Sequence, residues 1–93
     1  MNWTKTKLKT EAYAFYFLAR GPVGWYYWHW GEDTGEDGCG VGRFKLPPSH
    51  PFTPACKWHD MEYELKRFTR KNVDVGFLTR MLAIAEGRDW INA

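Results

Sequence analysis

Residues 11–30 read EAYAFYFLARGPVGWYYWHW, and the fold of the chain turns on how that stretch is read. Ala12–Leu18 alternates small and aromatic side chains, and Trp25–Trp30 is almost wholly aromatic. Aromatic residues fit a pleated, half-buried surface. Gly21, Pro22 and Gly24 supply turn chemistry between the two runs, and Thr4–Lys9 just upstream alternates with lysines. Together these features predict a β-hairpin or three-stranded meander over residues 3–30. A helix from Thr10 to Arg20, stopped at Gly21 with Pro22 beyond, is the competing reading.

Residues 31–52 are punctuated by glycine and proline too often for a regular element, and a loop of that length in a small domain commonly carries function. Residues 53–87 then read as two helices joined by a corner near 68–70. Thr53 is an expected N-cap followed by Pro54, Thr69 opens the second helix, and Gly87 stops it. The expected fold class is therefore α+β: an aromatic N-terminal β region (3–30), a long Gly/Pro loop (31–52), and two antiparallel α-helices (53–87), all within one small domain, 1–93.

Length and composition bound the function. Ninety-three residues leave no room for a second core beside the first. With 44% hydrophobic, 18% aromatic and 26% charged residues, the chain is neither disordered nor coiled-coil. A formal charge of +2, from 13 basic and 11 acidic residues, gives no argument for nucleic acid. Arg20, Gly21, Pro22 and Gly24 interrupt the longest apolar stretch, so no transmembrane segment is expected, and the first residues lack the pattern of a signal peptide. The basic corner Lys66–Lys71 reads as a solvated helix–helix junction. The acidic run Glu32–Asp37 lacks EF-hand spacing and reads as a solvated turn.

The helical faces carry the chemistry. At ~100° per residue, Trp58, Met61, Leu65 and Phe68 fall together as a core stripe on the first helix. Nearly opposite lie Cys56, His59, Asp60 and Tyr63, residue types used for proton transfer and ligation where a surface helix ordinarily carries solvated groups. On the second helix Val73, Phe77, Leu78, Met81, Leu82, Ile84 and Ala85 form an apolar arc, with Asp74 projecting near its middle. A carboxylate there needs a partner or becomes protonated. His59 is the natural partner, since a carboxylate holding one imidazole nitrogen fixes the tautomer and leaves the other to accept a proton. The two are 15 residues apart, so they meet only if the corner is tight or the helices cross.

These residues resemble a known family. Cys56-Lys57-Trp58-His59-Asp60-Met61-Glu62-Tyr63 is similar to the C-x-x-H-D-x-x-Y helix of the secreted phospholipase A2 enzymes. Asp74-Val75-Gly76-Phe77 resembles the D-x-x-F of their bacterial and parvoviral relatives, and Gly38-Cys39-Gly40-Val41-Gly42 resembles their calcium loop. The short His–Asp spacing, with Arg70 four residues before Asp74, resembles small phage and prophage proteins. The resemblance implies a Ca²⁺-dependent lipid ester hydrolase acting at a phospholipid or membrane surface. It implies that His59 is the general base, Asp74 orients it, and Tyr63 steadies Asp74. It further implies that Asp60 and the carbonyls of Gly38, Gly40 and Gly42 ligate Ca²⁺, that the Gly40 N–H donates to an oxyanion, and that Cys39 and Cys56 are bridged. A phage virion or bacterial host cell is the setting it implies.

Two rivals stand beside it. Cys39, His50, Cys56 and His59 form a loose Cys₂His₂ zinc set. Alternatively the chain is a non-catalytic, phage-borne structural or host-interaction protein that keeps the His–Asp pair as a strut and docks a protein partner through its aromatic N-terminal half.

Overall fold

The computed structural model describes residues 4–30, 40–41, 44–45 and 50–91, and corrects the expected fold class. The aromatic N-terminal region is helical: α1 spans Lys5–Arg20 and α2 spans Pro22–Trp30. Among the described residues, strands are confined to β1 (Gly40–Val41) and β2 (Phe44–Lys45), an antiparallel ladder with Gly40 opposite Lys45. The helical pair is α3 (Thr53–Leu65) and α4 (Arg70–Ala85). Among the described residues no helix is long and apolar enough to cross a membrane.

Helix wins over hairpin because α1 has both a cap and a buried face. The Thr4 hydroxyl accepts from Lys7 N–H at 3.2 Å and starts the helix. Leu8, Ala12 and Ala19 are buried and Phe15 packs beside them, which is the spacing of one helical stripe. Tyr13, Phe17 and Leu18 face outward, 48%, 68% and 52% exposed. The period-2 reading follows the aromatics, whereas the alanines carry the packing, because their small side chains let α1 lie close against α4.

At the α1–α2 junction Gly21 N–H bonds the Phe17 and Leu18 carbonyls, and Pro22 opens α2 where its missing N–H costs nothing. Gly24 is required sterically, since a Cβ there would sit 1.7 Å from the Ala19 carbonyl oxygen.

The N-terminal end of α3 differs from expectation. Its N-cap is Phe52, not Thr53, and no side chain of that residue caps it. His50 caps this end instead. Its carbonyl accepts from Thr53 N–H at 3.0 Å and its Nδ1 accepts from Phe52 N–H at 3.1 Å. Its Nε2 reaches Glu11 on α1 at 3.1 Å, tying this helix end to the N-terminal helix. At the other end Lys66 adopts a left-handed conformation (φ 51°) and closes α3. Thr69 then caps α4, accepting from Asn72 N–H at 3.2 Å, and Gly87 (φ 71°) terminates it.

The α3 faces are also reversed from expectation. Met61, Leu65 and Phe68 are 44%, 52% and 52% exposed, while Cys56, His59, Glu62 and Tyr63 are buried. Only Trp58 of the expected stripe packs inward, laid over Gly76 with the Arg80 guanidinium 3.8 Å from its ring centroid. The α4 arc faces the core: Val73, Phe77, Met81 and Ala85 are buried, and Leu78, Leu82 and Ile84 lie at its margin.

The two glycines at the first junction should respond oppositely to alanine. Gly24→Ala forces backbone apart and is expected to cost about 1–3 kcal/mol in urea unfolding. Gly21→Ala meets only ordinary contacts at 3.4 and 3.6 Å, and is expected to be neutral or to stabilise by up to about 1 kcal/mol. Equal effects of the two substitutions would show that the close approach of α2 to Ala19 is wrong.

Candidate functional site

The site is built around one carboxylate. Asp74, in the first turns of α4, is 0% exposed. Its Oδ1 accepts from His59 Nε2 at 2.8 Å and from the Tyr63 hydroxyl at 2.5 Å. Its Oδ2 accepts from Arg20 Nη1 at 3.3 Å and lies 3.8 Å from Arg70 Nε. Arg20 is the last residue of α1, Arg70 the first of α4, and His59 and Tyr63 lie one turn apart on α3. Three helices therefore contribute to a single buried anion.

The tight corner resolves the short spacing between His59 and Asp74. His59 lies six residues before the end of α3 at Leu65, and Asp74 four after the start of α4 at Arg70. The difference of two residues is an axial offset of ~3 Å, which the side chains span. Tyr63, one turn after His59, comes to the same oxygen and lies 4.2 Å, centroid to centroid, from the imidazole. Phe77 packs on the imidazole at the same distance, 4.2 Å.

The charge pattern follows. Burial alone lowers the pKa of His59, but the carboxylates of Asp60 and Asp74 outweigh it and hold the imidazole above its usual 6.5. Asp60 Oδ1 stands 3.9 Å from His59 Nδ1, beyond hydrogen-bond reach but close enough for its charge to act. Burial first, and then the hydrogen bond to Asp74, push the Tyr63 phenol well above its usual range, so it stays a donor. With Nε2 against Asp74, Nδ1 is the other ring nitrogen, and it faces the Asp60 side of the helix.

Several residues that sequence alone does not place enter here. Arg20 carries no sequence signal, because its partner is 54 residues away. Arg70 is legible as an i,i+4 neighbour of Asp74, but its Nη2 also donates to the carbonyls of Ala19 (2.7 Å) and Gly21 (2.8 Å). The basic corner is thus only partly solvated, with Arg70 turned inward and Arg67 paired to the buried Glu62. Trp28 of α2 packs edge-on against Tyr63 at 5.2 Å, and Trp25, 47% exposed, stacks with His29.

The expected metal and bridge residues are only partly within view. Gly38, Cys39, Gly42 and the Glu32–Asp37 turn lie outside the described residues, and Gly40 lies in β1. Asp60, its side chain 38% exposed, offers hard oxygen donors beside Nδ1 and suits an oxygen-ligated cation. Among the described residues no three His, Cys, Asp or Glu side chains gather into a metal-holding group. The zinc set loses support, since both His50 ring nitrogens are engaged, by Phe52 N–H and by Glu11. Cys56 is 2% exposed, and no described cysteine is a free thiol.

Comparison with protein-family models, with curated proteins and with solved structures gives no match for this chain.

Because the folded state raises the His59 pKa, the imidazolium contributes stability that is full below about 6.5 and lost as pH rises through the folded value. In metal-free protein, Asp60→Asn is expected to lower that folded pKa and shrink the pH dependence. An NMR titration of the histidine ring protons, with urea melts across the same range, checks both. An unchanged His59 titration in the variant would remove Asp60 as a cause.

Proposed function

We propose that the chain is a phospholipase A2-like lipid ester hydrolase working through a His59/Asp74 dyad. The observation that carries this reading is the 2.8 Å contact of His59 Nε2 with a fully buried carboxylate, which leaves Nδ1 beside the partly exposed Asp60. His59 Nδ1 takes a proton from water, and the hydroxide adds to the ester carbonyl. The tetrahedral species expels the alkoxide, which recovers the proton from His59, so that a fatty acid and an alcohol leave. Asp74 holds the ring and offsets the imidazolium charge, and Tyr63 steadies the carboxylate by donating to the same oxygen. The proposed Ca²⁺ set is Asp60 with the carbonyls of Gly38, Gly40 and Gly42, and the ion when bound would polarise the ester carbonyl. The Gly40 N–H is the proposed oxyanion donor.

A phospholipid or membrane surface is the proposed partner. Outward-facing Tyr13, Phe17 and Leu18 on α1, and Met61, Leu65 and Phe68 near the corner, support it. The cysteines are proposed to form a Cys39–Cys56 bridge, consistent with Cys56 not being a free thiol. Thiol titration of the unreduced, unfolded protein is expected to find none, and two free thiols would refute the bridge.

The second reading is a non-catalytic, phage-borne structural or host-interaction protein, docking a protein partner through its aromatic N-terminal half. Its support is that Asp74 is already held by two guanidinium groups, as a structural strut would be. One pair of measurements separates the readings. The hydrolase reading expects Ca²⁺-dependent fatty acid release from mixed phospholipid micelles, reduced at least about 10²-fold by His59→Gln and abolished by His59→Ala. No release across several lipids, with no Ca²⁺-induced change in Tm, overturns it. The strut reading then expects Asp74→Ala to cost about 3–5 kcal/mol, because it strands buried positive charge.

A further inference from the structure

The two oxygens of Asp74 are divided between different kinds of donor. Oδ1 serves His59 and Tyr63, and Oδ2 faces Arg20 and Arg70. We propose that Arg20 and Arg70 are positioning residues that keep Asp74 an ionised acceptor and so hold His59 in the tautomer that bears its proton on Nε2.

A carboxyl group at 0% exposure favours its neutral form unless positive charge or hydrogen-bond donors stabilise the anion. A protonated Asp74 would have an O–H to give, and of its neighbours on Oδ1 the better acceptor is the basic ring nitrogen His59 Nε2, at 2.8 Å, not the phenol oxygen of Tyr63. The imidazole proton would then move to Nδ1, and the atom proposed as the base would have no lone pair. Tyr63 does not prevent this, because a neutral donor bonds either carboxyl form. The guanidinium charges favour the carboxylate.

Arg70 is built to stay in place. Two carbonyls at the end of α1, Ala19 at 2.7 Å and Gly21 at 2.8 Å, hold its Nη2. Among the described residues its Nε has no hydrogen-bond partner, and it stands 3.8 Å from Oδ2, so it acts on Asp74 by charge across a short gap. Arg20 makes the direct hydrogen bond, at 3.3 Å, from a side chain that is 34% exposed. One arginine is anchored and charged; the other is bonded and partly solvated.

The inference rests on the His59–Asp74 pair of the proposed function, but its test needs no turnover. Side-chain ¹⁵N NMR of His59, at a pH where the ring is neutral, reads the tautomer directly. Wild-type protein is expected to show a protonated Nε2 and a bare Nδ1. Arg70→Gln and Arg20→Gln are each expected to lose the bare-Nδ1 signal in favour of the opposite tautomer or a mixture, whereas Arg70→Lys keeps it. A purely structural role predicts lowered Tm with an unchanged tautomer. A folded Arg70→Gln with the wild-type tautomer overturns the proposal. If that variant fails to fold, the partly exposed Arg20 decides the matter, and an unchanged tautomer in Arg20→Gln overturns it equally. Absence of lipid hydrolysis by the wild type would refute the hydrolase reading and leave the tautomer result standing.

Discussion

Asp74 is a carboxylate shut away from water where three helices meet. An ion removed from water needs close, well-directed partners, and no single helix offers enough of them. The fold meets that need by bringing the last residue of α1, the middle of α3 and the first residue of α4 to one point. Stability and the proposed chemistry would therefore draw on the same groups. The groups that make the carboxylate tolerable to bury also orient the imidazole, so a change to any of them acts on both.

The same constraint explains why α3 presents its polar side inward. His59 and Tyr63 lie in the interior because Asp74, with the Ala19 carbonyl at the end of α1, provides partners there. Glu62, 1% exposed, is held by Arg67 from the corner. The apolar residues Met61, Leu65 and Phe68 are left on the outside, which an isolated solvated helix would not favour. A hydrophobic stripe names the buried face only when the competing face has no partner elsewhere.

What the sequence makes legible follows from the range of each interaction. The His59–Tyr63 step on α3 and the i,i+4 step from Arg70 to Asp74 on α4 are helical and local, so those residues stand out from the sequence alone, whereas the meeting of His59 with Asp74 depends on the corner between the helices. The arrival of Arg20 depends on how α1 docks and leaves no local trace. The N-terminal region misleads because its aromatics alternate with alanine over a few residues, while the decisive signal is a stripe of Leu8, Ala12, Phe15 and Ala19 headed by the Thr4 cap. His50 looks like a ligand in isolation, yet its ring bonds join Glu11 to the start of α3, where the expected Thr53 cap is absent.

The reversed face of α3 also bears on the order of folding. A hairpin of α3 and α4 forming by itself would have to keep Asp74 and Glu62 hydrated, and hydrophobic collapse would draw Met61 and Leu65 toward α4 instead. The observed rotation of α3 becomes favourable once the C-terminal end of α1 arrives with Arg20 and the Ala19 and Gly21 carbonyls. Those contacts close loops of 54, 51 and 49 residues, a distant closure for so short a chain. The rate-limiting barrier should therefore belong to the docking of the two ends of the chain, not to the formation of any one helix.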